Sequence, residues 1–214
     1  MEPEKNNKKV TGKPVIDQMP TKKNEIISTL VMLVVAVIIA FLLSIYTFQQ
    51  YEVDGPSMQT TLFNQNRLIV VKYERTWASI TGHPYIPNIG NIIIFHENGL
   101  YSNDGTPENT LVKRVVALPG DRVVIANGVL TVYDKQHPNG FDPDKTLPYG
   151  KVIGYTSSES SSNINLVLPK NEIFVLGDNR ADSCDSRCFG PVNVNQIIGR
   201  LALRIYPFNK ITLF

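Results

Sequence analysis

This sequence has few histidines, a small net charge and few long hydrophobic runs. The three histidines, at positions 83, 96 and 137, each lie in or beside a polar segment, which disfavours a histidine-dependent catalytic triad. A net charge of only +2 gives no global indication of a nucleic-acid or strongly acidic partner. Only one stretch is long and apolar enough to cross a membrane. With 214 residues, the chain has room for that anchor and one domain with its own core, which excludes a mini-protein.

The apolar stretch predicts a transmembrane helix over residues 25–48. Residues 26–48 contain no charged side chain, and at ~1.5 Å per residue they match the roughly 30 Å of a bilayer's hydrocarbon core. Lysines precede the stretch and none follows closely, so residues 1–24 are expected to be a basic cytoplasmic tail and residues 49–214 an extracytoplasmic domain. A cleaved signal peptide is disfavoured by the length of the run and the lack of an A-x-A site after it. A buried core helix is disfavoured by length and by the lysine asymmetry.

Beyond residue 48 the pattern is typical of an all-β domain, with short β-branched runs separated by Gly, Pro and Asn. Alternation predicts strands at residues 67–72, 91–97, 110–118, 122–126, 129–133, 164–168, 172–177 and 197–207. Asn127 and Gly128 tolerate positive φ and predict a type I′ turn between two of these strands. Residues 135–163 are polar and rich in Pro, Gly and Ser, and are expected to form a small insertion with a weak strand at "KVIGYT".

The run "TLVKRVVAL" places two adjacent cations on opposite faces of one predicted strand, so one of them must enter apolar surroundings. Arginine cannot lose its proton, whereas a buried lysine can lower its pKa by up to ~3 to 5 units. Lys113 is therefore a candidate general base, and Ser57, in "VDGPSMQTTL" shortly after the anchor, is a candidate nucleophile. Taken alone, both residues also fit ordinary roles as a turn serine and a lysine that snorkels from the end of a strand.

A third stretch, "GDNRADSCDSRCFGPV" (residues 177–192), has a density of charges and hydroxyl groups that a plain hairpin seldom needs. A hydrogen-bonded ion pair between Asp185 and either Arg180 or Arg187 would fix such a loop. A solvated polar turn is the ordinary alternative.

Together these stretches resemble the sequence boxes of type I signal peptidases, a family of membrane-bound Ser/Lys proteases. Here "SMQTTL" resembles the family's S-M-x-P-T-L box, "GNIIIF" its G-D-I/V-x-x-F box, "KRVVALPGD" its K-R-V-x-G-x-P-G-D box and "GDNRADSCDSR" its G-D-N-R-x-x-S-x-D-S-R box. The boxes occur in the family's order, and the resemblance covers roughly residues 25–210. It implies a mainly β fold, in which one N-terminal transmembrane helix is followed by a coiled antiparallel β-sheet or barrel with a small β insertion. It also implies an endopeptidase that removes signal peptides from exported preproteins, cutting after small residues in an A-x-A pattern.

Carried over residue by residue, the resemblance makes Ser57 the nucleophile and Lys113 its general base, with the Ser183 hydroxyl bonded to the lysine amine. It implies a brace around this pair made of Asp178, Arg180, Asp185 and Arg187. It implies an apolar substrate pocket made of Val53, Met58, Leu62, Leu111 and Val112. The backbone N–H of Ser57 is the expected oxyanion donor. Some members have a serine two positions before the nucleophile as a second donor, where this chain has Gly55.

Three further positions depart from the boxes. Thr60 replaces a proline, Asn91 replaces an aspartate, and Ala117 stands at a small residue of the lysine box. Gly55, Thr60 and Asn91 support the alternative hypothesis, a catalytically inactive membrane-anchored relative that binds peptides or partners. A Ser/Lys self-cleaving repressor is disfavoured by the anchor and by the absence of a helix-turn-helix pattern.

The resemblance implies three kinds of partner: exported preproteins, membrane lipid and the secretion translocase. It implies no nucleic-acid partner and no cofactor. A calcium site at Asp178, Asp182 and Asp185 is disfavoured because the spacing is not that of an EF-hand and an arginine lies on either side of Asp182. No metal is therefore expected.

Cys184 and Cys188, the only cysteines, would lie in an oxidising compartment. In an extended strand, residues this far apart are about 13 Å from each other, so a disulfide requires a turn at residues 185–187. A disulfide and two free thiols both stay open, and the resemblance assigns no thiol chemistry to either residue.

Overall fold

A computed structural model of the protein describes residues 22–99, 110–146, 152, 154 and 163–214. The described residues fall into two units, one ending at Leu42 and one formed by Leu43–Phe214. A long helix, α1 (Lys22–Thr47), supplies the described part of the first unit and continues past its end, and the apolar side chains of Glu25–Leu42 are exposed. The segment Glu25–Leu42 is long and apolar enough to cross a membrane, which fits membrane anchoring. Residues 1–21 of the predicted basic tail lie outside the described residues.

The second unit is mainly β, which confirms the predicted fold class. Its helices are short: α2 (Tyr73–Thr81), α3 (Pro143–Thr146), α4 (Ser186–Phe189) and the 3₁₀ turns Val194–Gln196 and Phe208–Lys210. Its strands are β1 (Phe48–Glu52), β2 (Arg67–Val71), β3 (Ile92–His96), β4 (Thr110–Ala117), β5 (Arg122–Ala126), β6 (Val129–Tyr133), β7 (Ile164–Val167), β8 (Glu172–Leu176), β9 (Val192–Asn193), β10 (Ile197–Tyr206) and β11 (Thr212–Leu213). All eight predicted strands form, whereas β1, β9, β11 and α2 are elements that the alternation does not predict.

Two antiparallel sheets carry the fold. The main sheet has the order β1-β2-β10-β3-β4-β8-β9, with β11 on β10, and the small sheet has the order β6-β5-β7. Strand β4 is an inner strand because β3 covers one of its edges and β8 the other. Nearly every side chain of β3 and β4 is buried, so the residues that β4 carries near its middle lie well inside the protein.

The chain enters the small sheet directly after β4 and returns from it to β8, which pairs with β4 in the main sheet. Asn127 and Gly128 both have positive φ, 51° and 76°, and connect β5 to β6, which confirms the predicted turn. The sheet is built from strands on both sides of the polar segment 135–163, since β7 follows that segment. The weak strand predicted at "KVIGYT" lies outside the described residues except for Val152 and Gly154.

Asp121 stands at the junction of the two sheets. Its Oδ2 accepts a hydrogen bond from the Leu118 N–H at 2.8 Å, and its carbonyl accepts one from the Leu168 N–H at 2.8 Å. Burial raises the pKa of the Asp121 carboxyl above its ordinary value, although the Leu118 N–H opposes the change. The folded protein therefore holds a proton at this carboxyl at a pH at which the unfolded chain has lost it.

This pKa change predicts a pH-dependent effect of Asp121→Asn. As pH rises through the ordinary and then the raised pKa, the unfolded state ionises first, so the Asp121 carboxyl contributes less and less to stability. The free energy of unfolding of Asp121→Asn, relative to wild type, should therefore increase between about pH 3 and about pH 7, as measured by urea denaturation. Asparagine keeps an acceptor for the Leu118 N–H.

Asp134→Asn is the matched control with the opposite sign. Burial would raise the pKa of Asp134, but hydrogen bonds from His137 and from the Gln136 N–H outweigh burial and lower it. The stability that this carboxylate contributes is therefore lost as pH falls, and the wild-type advantage over Asp134→Asn should shrink toward acid. The interpretation fails if both variants show the same pH trend.

Candidate active site

A compact turn after β1 presents Ser57. The Met58 and Leu62 side chains are almost completely buried, and the Leu62 N–H donates to the Met58 carbonyl at 2.8 Å. The Gln59 N–H donates to the Pro56 carbonyl at 3.0 Å and closes the start of the turn. Two apolar side chains therefore pin the turn to the core, while Ser57 stays partly exposed.

The structure brings together Ser57 and Lys113, which are 56 residues apart in the sequence. The Lys113 Nζ lies 2.9 Å from the Ser57 Oγ, which is hydrogen-bond distance. Lys113 lies on the inner strand β4, opposite Ile93 of β3, and is only 3% exposed. This geometry permits direct proton transfer between the hydroxyl and the amine.

Arg114, the neighbour of Lys113, is also buried, so both cations of the strand lie inside rather than the one that the alternation requires. Its Nε and Nη2 donate to the two carboxylate oxygens of Asp178 at 2.8 and 2.6 Å, and its Nη1 donates to the Gly90 carbonyl at 2.8 Å. This bidentate pair compensates a charge that arginine cannot lose. Little in the sequence indicates the Arg114–Asp178 pair beyond an arginine next to Lys113 and an aspartate in the last box.

Asp178 and Asn179 attach the last box to the turn that carries Ser57. The Thr61 hydroxyl donates to Asp178, and the Asn179 N–H donates to the Ser57 carbonyl at 3.0 Å. The Asn179 side-chain amide donates to the Pro56 carbonyl at 3.3 Å. Thr61 and Asn179 lie inside the quoted boxes but were not among the predicted site residues.

Asp185 is the centre of the loop that follows β8. It is completely buried, and its carboxylate accepts hydrogen bonds from the Gly177 N–H and the Ser183 hydroxyl, both at 2.9 Å. Arg187 donates to both oxygens of the same carboxylate at 2.8 Å. Of the two ion pairs considered for Asp185, the structure forms the one with Arg187. The predicted bond between Ser183 and the Lys113 amine stays a prediction.

Arg180, the other arginine considered, pairs with Asp144 in α3. Two guanidinium nitrogens of Arg180 contact the two Asp144 carboxylate oxygens, and its Nε donates to the Gly177 carbonyl at 2.9 Å. The Arg180 side chain is 0% exposed and that of Asp144 is 17% exposed. The pair therefore connects the polar segment after β6 to the loop after β8. The sequence did not indicate this connection.

Gly177 fills a position with no room for a side chain. A Cβ atom there would come closer than 3.0 Å to the Ser183 side chain and to the Ser57 carbonyl oxygen. The loop can approach the backbone of Ser57 this closely only because residue 177 is glycine.

Four of the five predicted pocket residues are buried, with exposures of 4% for Val53, 1% for Met58, 0% for Leu62 and 4% for Leu111. Val112 is partly exposed and packs with the first three, whereas Leu111 belongs to a separate apolar cluster with Ile93 and Val115. A pocket made by all five together stays a prediction.

The Gly55 N–H, a possible second oxyanion donor, donates to the Asn64 Oδ1 at 3.2 Å. Gly55 has a φ of 92°, which favours glycine. No second oxyanion donor is assigned by this geometry.

The two cysteines form a disulfide, Cys184–Cys188, with a Cα–Cα distance of 5.3 Å. The turn of α4 (Ser186–Phe189) provides the reversal that an extended strand would lack.

Comparison with known proteins identifies this chain as a peptidase of the signal peptidase class. Residues 26–206 match the family model described as signal peptidase, peptidase S26, and the chain belongs to this family. It is 36% identical over 183 residues to signal peptidase I of Bacillus caldolyticus, covering 82% of this chain and 89% of that protein. It is 32% identical over 200 residues to signal peptidase IB of Staphylococcus aureus strain COL, covering 88% of this chain and 93% of that protein. A crystal structure of signal peptidase I from Enterococcus faecalis V583 is similar with 25% identity and a TM-score of 0.36, covering 54% of this chain and 97% of that chain.

Asp144→Ala should destabilise the protein strongly. Removing the carboxylate breaks the ion pair that Asp144 makes with the buried Arg180 guanidinium, and breaking a buried pair costs about 3 to 5 kcal/mol in the free energy of unfolding. Lys145→Ala is the control, because Lys145 is 75% exposed and its pair with Asp142 is a surface pair that contributes little. Urea denaturation measures both, and equal effects of the two substitutions would contradict the interpretation.

Gly177→Ala should lower activity by about 10²-fold or more, because the new methyl group pushes the Ser57 backbone out of register with Lys113. Gly82→Ala is the control for an alanine that only costs stability, since Gly82 has a φ of 72° but a Cβ there meets nothing within 4 Å. Peptide-cleavage rates of both variants, measured where both are folded, test this. Full activity of Gly177→Ala would exclude a spatial requirement at this position.

Proposed function

We propose that this chain is a membrane-anchored endopeptidase that removes N-terminal signal peptides from exported preproteins by a Ser/Lys acyl-enzyme mechanism. The observation that carries the proposal is the 2.9 Å distance between the Lys113 Nζ and the Ser57 Oγ, at a lysine that is only 3% exposed. Membership of the signal peptidase family and the names of the relatives support the substrate class.

The first chemical step is proton transfer from Ser57 to a neutral Lys113. Burial favours the neutral amine, because a charged ammonium would lose its hydration. The Ser57 oxygen then attacks the scissile carbonyl, and the Lys113 ammonium protonates the leaving amine. That amine is the new N-terminus of the mature protein, and the signal peptide stays behind as the acyl group on Ser57. Water activated by the same lysine then hydrolyses this acyl-enzyme, which releases the signal peptide and restores the Ser57 hydroxyl.

The loop after β8 supports this chemistry by holding the backbone of Ser57. The Ser57 carbonyl accepts the Asn179 N–H at 3.0 Å, so the Ser57 N–H keeps a fixed direction as the proposed oxyanion donor. Ser183 and Asp185, with Arg187, hold Gly177 against the same residue. These contacts restrict the nucleophile to one position relative to Lys113.

The substrate is a preprotein whose signal peptide ends in small residues of A-x-A type. Apolar side chains beside the turn, among them Met58 and Val112, suit shallow pockets that accept small residues. The lysines before α1 favour a cytoplasmic N-terminus and a catalytic domain on the outer side, where the membrane lipid and the secretion translocase would deliver the substrate.

Ser57→Ala and Lys113→Ala should each abolish preprotein cleavage, with losses of at least about 10³-fold in kcat. Lys113→Arg keeps a cation that cannot act as a base, and it should be equally inactive. Detergent-solubilised full-length protein is incubated with a preprotein, and the products are resolved by mass spectrometry.

Lys170→Ala, at an exposed position between β7 and β8, is the matched lysine control and should keep wild-type activity. Circular dichroism establishes that each variant is folded. Ser57-dependent cleavage that survives Lys113→Arg would refute the Ser/Lys mechanism. An intact preprotein in the wild-type reaction would instead support the inactive, peptide-binding alternative.

A further inference from the structure

The Cys184–Cys188 disulfide closes a short ring around Asp185. The ring encloses residues 185–187, and the Cys188 N–H donates to the Asp185 carbonyl at 2.7 Å within it. The short helix α4 (Ser186–Phe189) overlaps this ring, and a helix of only four residues is not stable by itself. The disulfide therefore restrains the segment that fixes the position of the Asp185 carboxylate.

The position of Asp185 is transmitted to Ser57 through Gly177. The Asp185 carboxylate holds the Gly177 N–H, and Gly177 packs against the Ser57 carbonyl with no space for a methyl group. In the same turn, the Ser186 hydroxyl accepts the Val175 N–H of β8 at 3.0 Å. A shift of the ring would reach the Ser57 backbone through two contacts.

The disulfide is accessible although the network that it encloses is not. Cys188 is exposed and Cys184 is partly exposed, whereas Ser183, Asp185 and Ser186 are buried. A small thiol can therefore attack this bond without opening the core.

We propose that the Cys184–Cys188 disulfide positions Asp185, and through it the Ser57–Lys113 pair, so that the peptidase is fully active only in its oxidised form. This inference rests on the proposed function. A dithiol such as dithiothreitol breaks the S–S bond in two exchange steps, leaving two thiols at Cys184 and Cys188 and forming its own cyclic disulfide. Oxidised glutathione reverses the change and is itself reduced to two molecules of glutathione.

The sequence offers a clean test, because these are the only two cysteines. The double variant C184S/C188S is cysteine-free, so a reductant that acts through this bond affects wild type and not the variant. Full-length protein in detergent micelles cleaves a cysteine-free preprotein with an A-x-A site, with and without dithiothreitol and after reoxidation. Reduction should lower the wild-type kcat about tenfold or more with KM within about twofold, because small displacements of a nucleophile slow chemistry more than binding.

Reoxidation should restore the wild-type kcat, and the cysteine-free variant should be slow under all conditions. The proposal is overturned if Ser57-dependent cleavage is unchanged by reduction, if C184S/C188S is fully active, or if dithiothreitol slows that variant too. Absence of cleavage by the oxidised wild type is a different result, since it refutes the proposed function.

Hydrogen exchange tests the positioning independently of activity. Reduction should speed exchange of the Gly177 and Asn179 N–H groups, while the amides of β5 in the small sheet keep their rates. Unchanged exchange at Gly177 overturns the proposal. Equal acceleration in β5 also overturns it, because the disulfide would then stabilise the whole domain rather than position the loop.

Discussion

The hydrogen bond between Lys113 and Ser57 joins an inner strand of the main sheet to the turn that follows β1, and the other parts of the site are arranged around it. An amine that is 3% exposed is costly to charge, so the burial of Lys113 and the role of base that we propose for it follow from the same position. Strand β4, which carries this amine, is an inner strand of the main sheet. The chemistry that we propose therefore depends on the complete main sheet and not on the turn alone.

Arg114 shows why the two adjacent cations are not interchangeable. Arginine stays protonated at any pH that the fold survives, so burying it requires a carboxylate, and Asp178 supplies both oxygens. The ion pair has a second effect, because Asp178 also accepts the Thr61 hydroxyl and Asn179, next in the chain, binds the Ser57 carbonyl. The same group of contacts therefore compensates one buried charge and fixes the backbone of Ser57, the nucleophile that we propose.

Alternating hydrophobic residues were enough to predict the eight longer strands, because β-branched runs bounded by Gly, Pro and Asn occur in few other structures. Helix α2 could not be predicted in this way, since "YERTWASIT" is rich in residues that favour strands and its N-cap, Lys72, makes no side-chain cap. Strand β9 has only two residues and exists because β8 pairs with it. Such short elements depend on partners that are distant in the sequence.

The same limit applies to the site. The family resemblance of the motifs predicts Ser57 and Lys113 as site residues, whereas the Arg180–Asp144 pair joins residues 36 positions apart that share no motif. That pair joins the loop after β8 to the polar segment beyond β6, while Asp178 and Asn179 of the same loop contact the Ser57 turn. The buried charges of this loop are paired: Asp178 and Arg180 with Arg114 and Asp144 on other segments of the chain, and Asp185 with Arg187 inside the loop. Residues 177–192 are rich in polar side chains because these side chains connect several segments of the chain at one point inside an apolar core.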